Sequence, residues 1–107
     1  MQQQETFGEK IRKLREENKL PIRKIAALLD TDPSTLSKIE RNERRAKKEW
    51  IKKLAEFYKI DEKELWIAYL SDKVIHEINN EKYGIDALKV AEKKILYGKN
   101  VKNQNNG

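Results

Sequence analysis

The sequence predicts an all-α fold, a bundle of five short helices followed by additional C-terminal helices. Three observations lead there. Apolar residues recur at three- and four-residue spacing along most of the chain. No stretch alternates apolar and polar residues long enough to make a strand. Glycine and proline number four and two in 107 residues, so few positions interrupt a helix. A chain of this length supports one hydrophobic core and not two.

Phe7, Ile11 and Leu14 give the first helix, over about 7–18. Ile22, Ile25, Ala26 and Leu29 give a second of two turns, its start marked by Pro21, which suits only the first turn of a helix. Asp30, Thr31 and Asp32 form a polar break. Asp32 before Pro33 reads as an N-cap and a first-turn proline, with an acid at the positive end of the helix dipole. The third helix, 33–41, turns Leu36 and Ile39 inward. A basic connector, 41–47, leads to a fourth helix over 48–58 that buries Ile51, Leu54, Ala55 and Tyr58.

Asp61 and Glu64 have the spacing of a capping box and open a fifth helix with Leu65, Trp66, Tyr69 and Leu70. The pattern either continues through Val74, Ile75 and Ile78 or pauses near Ser71. Asn79, Asn80 and Gly84 mark a turn. A last helix, 85–97, sets Leu88, Ala91 and Ile95 on one face and ends at Gly98. The polar, asparagine-rich stretch 99–107 is expected to be disordered. The expected organisation is therefore a domain over 7–70, a helical extension over 71–98, and a tail.

The net charge of +6 is concentrated. Residues 1–60 hold 16 Lys and Arg against 10 Asp and Glu, whereas residues 61–107 hold eight of each. Seven basic and two acidic residues fall within 41–53 alone. Such a patch is the footprint of a phosphate-binding surface, the alternative being a solvated lysine-rich face. With no cysteine in the chain, disulfides, thiolate metal sites and cysteine nucleophiles are excluded. No apolar run approaches the roughly 20 residues of a membrane span, and the polar first residues do not read as a signal peptide. The expected location is the cytoplasm.

Two short helices across a three-residue break, with basic residues just after, have the geometry of a helix-turn-helix. The second helix of that unit must keep a short polar face free to enter a groove about 12 Å wide. Leu36 and Ile39 supply the anchoring face, and Ser34, Thr35, Ser37 and Lys38 the free one.

The segments IRKLREENKL, IAALLDTDPSTLSKIER and IKKLAEFYKIDEKEL carry a wider resemblance. Over Ile11 to Leu65, slightly more than half the chain, the sequence resembles the Cro and phage-repressor type of helix-turn-helix domain, the XRE family. Ile25 and Ala26 paired with Leu36, Ile39 and Glu40 are its most diagnostic part. The resemblance implies a five-helix domain that binds double-stranded DNA and regulates transcription. It implies base-facing roles at Asp32, Pro33, Ser34, Ser37 and Lys38, of which Asp32 and Pro33 better suit the helix start. Ser34, Ser37 and Lys38 are expected at base edges, and Thr35 can reach a base or a phosphate. Phosphate contacts are expected from Arg41, Asn42, Arg44, Arg45, Lys47 and Lys48. Arg15 and Glu40 fall where the family has a structural ion pair.

Three positions depart from the family pattern. Pro21 stands in place of a capping Ser or Thr, and Ile22 in place of a DNA-contacting glutamine, a contact Arg23 can take over. Asn42 stands in place of a glycine, which it can replace because it tolerates a left-handed backbone. The stretches LPIRKIA and DPSTLSKIER are also similar to controller proteins of restriction-modification systems; a phage-type repressor or a DNA-binding antitoxin would carry the same motif.

A two-turn recognition helix reads few base pairs, so a homodimer on a palindromic operator is expected, with half-sites about 34 Å apart or a multiple of that. Trp66, Tyr69, Leu70, Val74, Ile78 and Leu88 are the expected interface, the alternative being that these residues fold back on their own subunit. His76 is the only histidine and has no catalytic partner at a motif spacing. No phosphate loop or metal-ligand cluster is visible, and neither enzymatic activity nor a cofactor is expected. A protein-interaction module, or an antitoxin-type autoregulator binding a partner through its C-terminal helices, is the alternative function.

Overall fold

A computed structural model describes residues 5–105, with side chains for 5–98. The described residues are all helical in their regular structure: α1 (Phe7–Glu17), α2 (Ile22–Leu28), α3 (Pro33–Glu40), α4 (Trp50–Tyr58), α5 (Glu62–Ile78) and α6 (Gly84–Asn105). The chain divides into two units between Lys73 and Val74.

In the first unit, α1 to α4 and the first part of α5 enclose one core. Leu36, Ile51, Leu54 and Leu65 are fully buried at its centre, and Phe7, Ile11, Ile25, Ala26, Leu29 and Ile39 surround them. Each large side chain among these contributes about 1.5–3 kcal/mol relative to an exposed one, so a few central residues stabilise a chain that is 39% charged. Trp50 belongs to this core as well, four residues before Leu54 on the same helical stripe, although the sequence reading did not name it.

The helix starts follow from local chemistry. Thr6 and Glu9 form a capping box at α1: the Glu9 N–H donates to Thr6 Oγ1 at 3.1 Å, and the Thr6 N–H donates to Glu9 Oε1 at 3.0 Å. Asp72, from α5, also accepts from the Phe7 N–H at 2.8 Å. Pro21 precedes α2 without a side-chain cap, and Ile22 packs against the core. At α5 the Asp61 carboxylate accepts from the Lys63 N–H at 2.9 Å, while Glu64 pairs with Lys10 at 3.5 Å. The box expected between Asp61 and Glu64 is thus replaced by a one-sided cap and a tertiary ion pair.

The ends of α1 to α4 share one device. Lys19, Asp30, Asn42 and Lys59 all have φ between 55° and 65°. After each, the next residue's N–H reaches back to a carbonyl in the last turn: Leu20 to Arg15, Thr31 to Ala26, Glu43 to Lys38, Ile60 to Ala55. These are left-handed closures of the Schellman type, made here without glycine.

In the second unit, α5 runs unbroken past Ser71 to Ile78, and α6 starts at Gly84, which packs on the Ile78 carbonyl. Gly98 was expected to end the last helix, but α6 continues through it to Asn105. No described glycine has positive φ, so Gly98 does not form the left-handed stop. A glycine inside a helix costs only about 1 kcal/mol. Of the tail expected over 99–107, the backbone to Asn105 is thus helical, while residues 106–107 and all its side chains lie outside the described residues. Among the described residues no helix is long and apolar enough to cross a membrane.

Candidate nucleic-acid interface

The site is built around α3. Asp32 caps it twice over: Oδ1 accepts from the Thr35 N–H at 2.8 Å and Oδ2 from the Thr35 hydroxyl at 2.9 Å. These two donations hold the Asp32 carboxyl below the ordinary aspartate range, the amide being the larger cause. Pro33 fills the first helical position, where no N–H is missed. Leu36 and Ile39 then fix the inner face, each at most 3% exposed.

Glu40 is the single polar member of the buried set among the described residues, at 5% exposed. Arg15, on α1, grips it with two parallel bonds, Nε to Oε2 at 2.8 Å and Nη2 to Oε1 at 2.9 Å. Its third nitrogen donates to the Leu20 carbonyl at 3.0 Å. The Arg15 pKa is raised, first by the hydrogen bond to Glu40, against the opposing effect of burial. The two residues expected to pair are therefore together, tying the end of α3 to α1 and to the turn before α2.

Two further contacts hold that same end. Gly8 lies against the Ile39 carbonyl with no room for a methyl group. The Thr6 hydroxyl donates to Asn42 Oδ1 at 2.7 Å. Asn42 takes φ 65° and so makes the turn that the absent glycine would make. The sequence reading missed Thr6 and Gly8. The Thr6-Phe7-Gly8-Glu9 capping signature was visible, as was a small residue one turn before Ile11, but neither says what packs there.

What remains outside is polar. Ser34 and Lys38 are exposed, while Thr35 is half-buried under its bond to Asp32. Ser37 is also half-buried and accepts a hydrogen bond from Arg41 Nη1. Arg41 in turn donates through Nε and Nη2 to Glu43, at 3.0 and 3.3 Å, a partner the sequence reading did not anticipate. Glu43 raises the Arg41 pKa, and Arg41 lowers that of Glu43.

Arg23, Arg44, Arg45, Lys47 and Lys48 are exposed, and the ion pairs among the described residues involve none of them. The expected phosphate-contacting residues thus divide into one tethered arginine, five free cations, and Asn42 bound to Thr6.

Of the residues expected to meet a second subunit, Trp66 and Tyr69 are partly buried against the core of the first unit. Tyr69 stands edge-on to Phe7 at 5.8 Å and to Trp66 at 6.1 Å between ring centroids. Ile78 is half-buried; Leu70, Val74 and Leu88 are exposed. Among the described residues no group of three or more His, Asp or Glu side chains is placed to hold a metal ion.

A short helix with a buried face, a capped start and a polar outer face, next to free cations, is the recognition element of a helix-turn-helix DNA-binding domain. A family model described as a helix-turn-helix domain matches residues 8–70. The chain belongs to that family. No curated protein and no solved structure matches it.

Proposed function

We propose that the protein is a sequence-specific regulator of transcription that lays α3 in the major groove of double-stranded DNA. The observation that carries this reading is the asymmetry of α3. Its inner face is locked by Leu36, Ile39 and the Arg15–Glu40 pair, while Ser34 and Lys38 stand free. Hydroxyls and an amine of that length suit base edges, Lys38 donating to guanine O6 and N7 and the serines giving or taking one bond. Arg23, Arg44, Arg45, Lys47 and Lys48 grip phosphate, with Asn42 offering its remaining amide N–H groups. Such contacts set register and affinity without reading sequence. Its role is to bind rather than to catalyse, and with DNA as target its place is the cytoplasm.

The working unit in this reading is a homodimer on a palindromic operator. Of the large apolar side chains exposed among the described residues, all but Phe57 lie between Ile67 and Tyr97. Monomers seldom leave so much apolar surface uncovered. The charge balance of zero over 61–107 lets that surface meet its own copy without repulsion. Leu70, Val74 and Leu88 lead the interface, with Trp66, Tyr69 and Ile78 contributing only their uncovered edges.

Selection of bound fragments from random duplexes, followed by sequencing, tests the whole reading. A two-fold symmetric preferred site is the expected result. Binding through about six phosphate contacts per subunit should also weaken at least roughly a thousand-fold between 50 and 200 mM salt. Recovery of no preferred duplex would overturn the reading.

A further inference from the structure

Arg41 differs from every other cation near α3. It is the C-cap of the helix, four residues after Ser37 and three after Lys38, so it shares the outward stripe that carries both. Arg44, Arg45, Lys47 and Lys48 instead belong to the irregular connector. Among the exposed cations of α3 and the connector, Arg41 is also the one held by side-chain hydrogen bonds, with Ser37 on one nitrogen and Glu43 on the other two.

A guanidinium has five N–H donors. Glu43 takes two, one on Nε and one on Nη2, and Ser37 takes one on Nη1. One N–H on each terminal nitrogen is left to donate to an acceptor pair such as guanine O6 and N7. The side chain is 48% exposed, so that pair is within reach of a ligand.

Glu43 is hard to place in any other scheme. An acid within a run of basic residues weakens a phosphate clamp, because it repels the same backbone that the cations attract. A phosphate contact also needs charge more than it needs a fixed plane. A base-reading arginine needs its plane held, and a neighbouring carboxylate and hydroxyl do that.

We propose that Arg41 reads a guanine in each half-site through its two free N–H groups, with Ser37 and Glu43 as the positioning residues that aim it. This rests on the reading of α3 as the recognition helix. It moves Arg41 from the phosphate contacts to the base contacts, and gives Ser37 a supporting role.

The test runs duplex selection and competition binding on the wild type, Arg41→Ala, Arg41→Lys and Glu43→Gln. The wild type should select a G·C pair at a symmetric position. Arg41→Ala and Arg41→Lys should both lose that preference, by about 5- to 150-fold against the other pairs. The lysine variant keeps the charge, and so keeps the salt slope. Glu43→Gln should weaken the preference at the same position while binding to unrelated DNA holds or rises.

If the wild type selects a site and both Arg41 variants keep it unchanged, with Arg41→Ala weakening all duplexes alike and lowering the salt slope by about 1.8 for the two copies of the dimer, Arg41 is a phosphate clamp. The inference then fails while the function stands. A wild type that selects nothing overturns both.

Discussion

Gly8 rests directly on the carbonyl of Ile39, and that contact sets how closely the start of α1 approaches the end of α3. The obstacle to a side chain there is backbone, which cannot rotate away. Gly8→Ala should therefore push the two helices apart and cost about 1–3 kcal/mol, the usual range for overpacking. Urea denaturation gives the first number, and duplex binding should weaken beyond what the stability loss accounts for. A variant as stable as the wild type would mean that the two helices shift freely against each other.

The same end of α3 is held by an ion pair whose acid is buried. Glu40→Ala would leave the Arg15 guanidinium, only 15% exposed, without its partner. Stability should fall by about 3–5 kcal/mol, whereas replacing both residues by apolar ones of similar volume should cost far less. A double-mutant cycle in denaturant measures the difference. Additive losses would show that each residue acts on its own.

These tethers mark the limit of what was legible in the sequence. Helices α1 to α5 could be read because Ile25, Leu36, Ile51 and Leu65 fall on regular apolar stripes, and because Asp32 and Pro33 punctuate the chain. The Arg15–Glu40 pairing, between residues 25 apart, came from family resemblance and from no periodicity. Thr6, Gly8 and Glu43 escaped because their importance lies in what they touch across the fold or across a turn. The closures at Lys19 and Lys59 escaped for another reason: lysine is an unusual left-handed residue, imposed there by packing on either side of the turn. Gly98 misled in the opposite sense, since a glycine permits a helix end without requiring one.

Asp32 and Asp72 should give opposite responses to acid. The Thr35 amide and hydroxyl lower the Asp32 pKa in the folded state. Its cap therefore stabilises fully above the unfolded value, and that contribution is lost as pH falls through the folded one. The stability gap between wild type and Asp32→Ala should be full at neutral pH and close as the pH drops below 3.8, the ordinary value. Burial raises the Asp72 pKa despite the Phe7 N–H, with Glu9 adding to the rise. A raised carboxyl favours folding in acid and loses that advantage as pH rises through its folded value. Asp72→Asn should thus gain on the wild type above that value and match it below. Denaturation curves across this range decide both, and gaps that ignore pH would remove the titration argument.

Leu88 is 41% exposed on α6 and carries the proposed contact between copies. Leu88→Glu would place a charge there without breaking the helix, glutamate being a good helix former. Sedimentation should show the wild type as a dimer at micromolar concentration and the variant as a monomer, with helical content unchanged by circular dichroism. Affinity for a duplex with two half-sites should drop while affinity for one half-site holds. A monomeric wild type would show that the apolar face of α6 serves something other than a second copy.

Lys38 and Arg45 separate reading from gripping. Both are exposed and basic, but Lys38 projects from α3 and Arg45 from the connector behind it. Lys38→Ala should cost about 1–3 kcal/mol on the preferred duplex and relax selection at one position, with little loss on unrelated DNA. Arg45→Ala should weaken preferred and unrelated duplexes by similar factors and lower the salt slope by roughly one counterion per subunit of the dimer. The two variants remove the same charge, so electrostatics alone predicts the same outcome for both. A difference in selected sequence requires that one side chain lies against a base, and identical profiles would place Lys38 among the phosphate contacts.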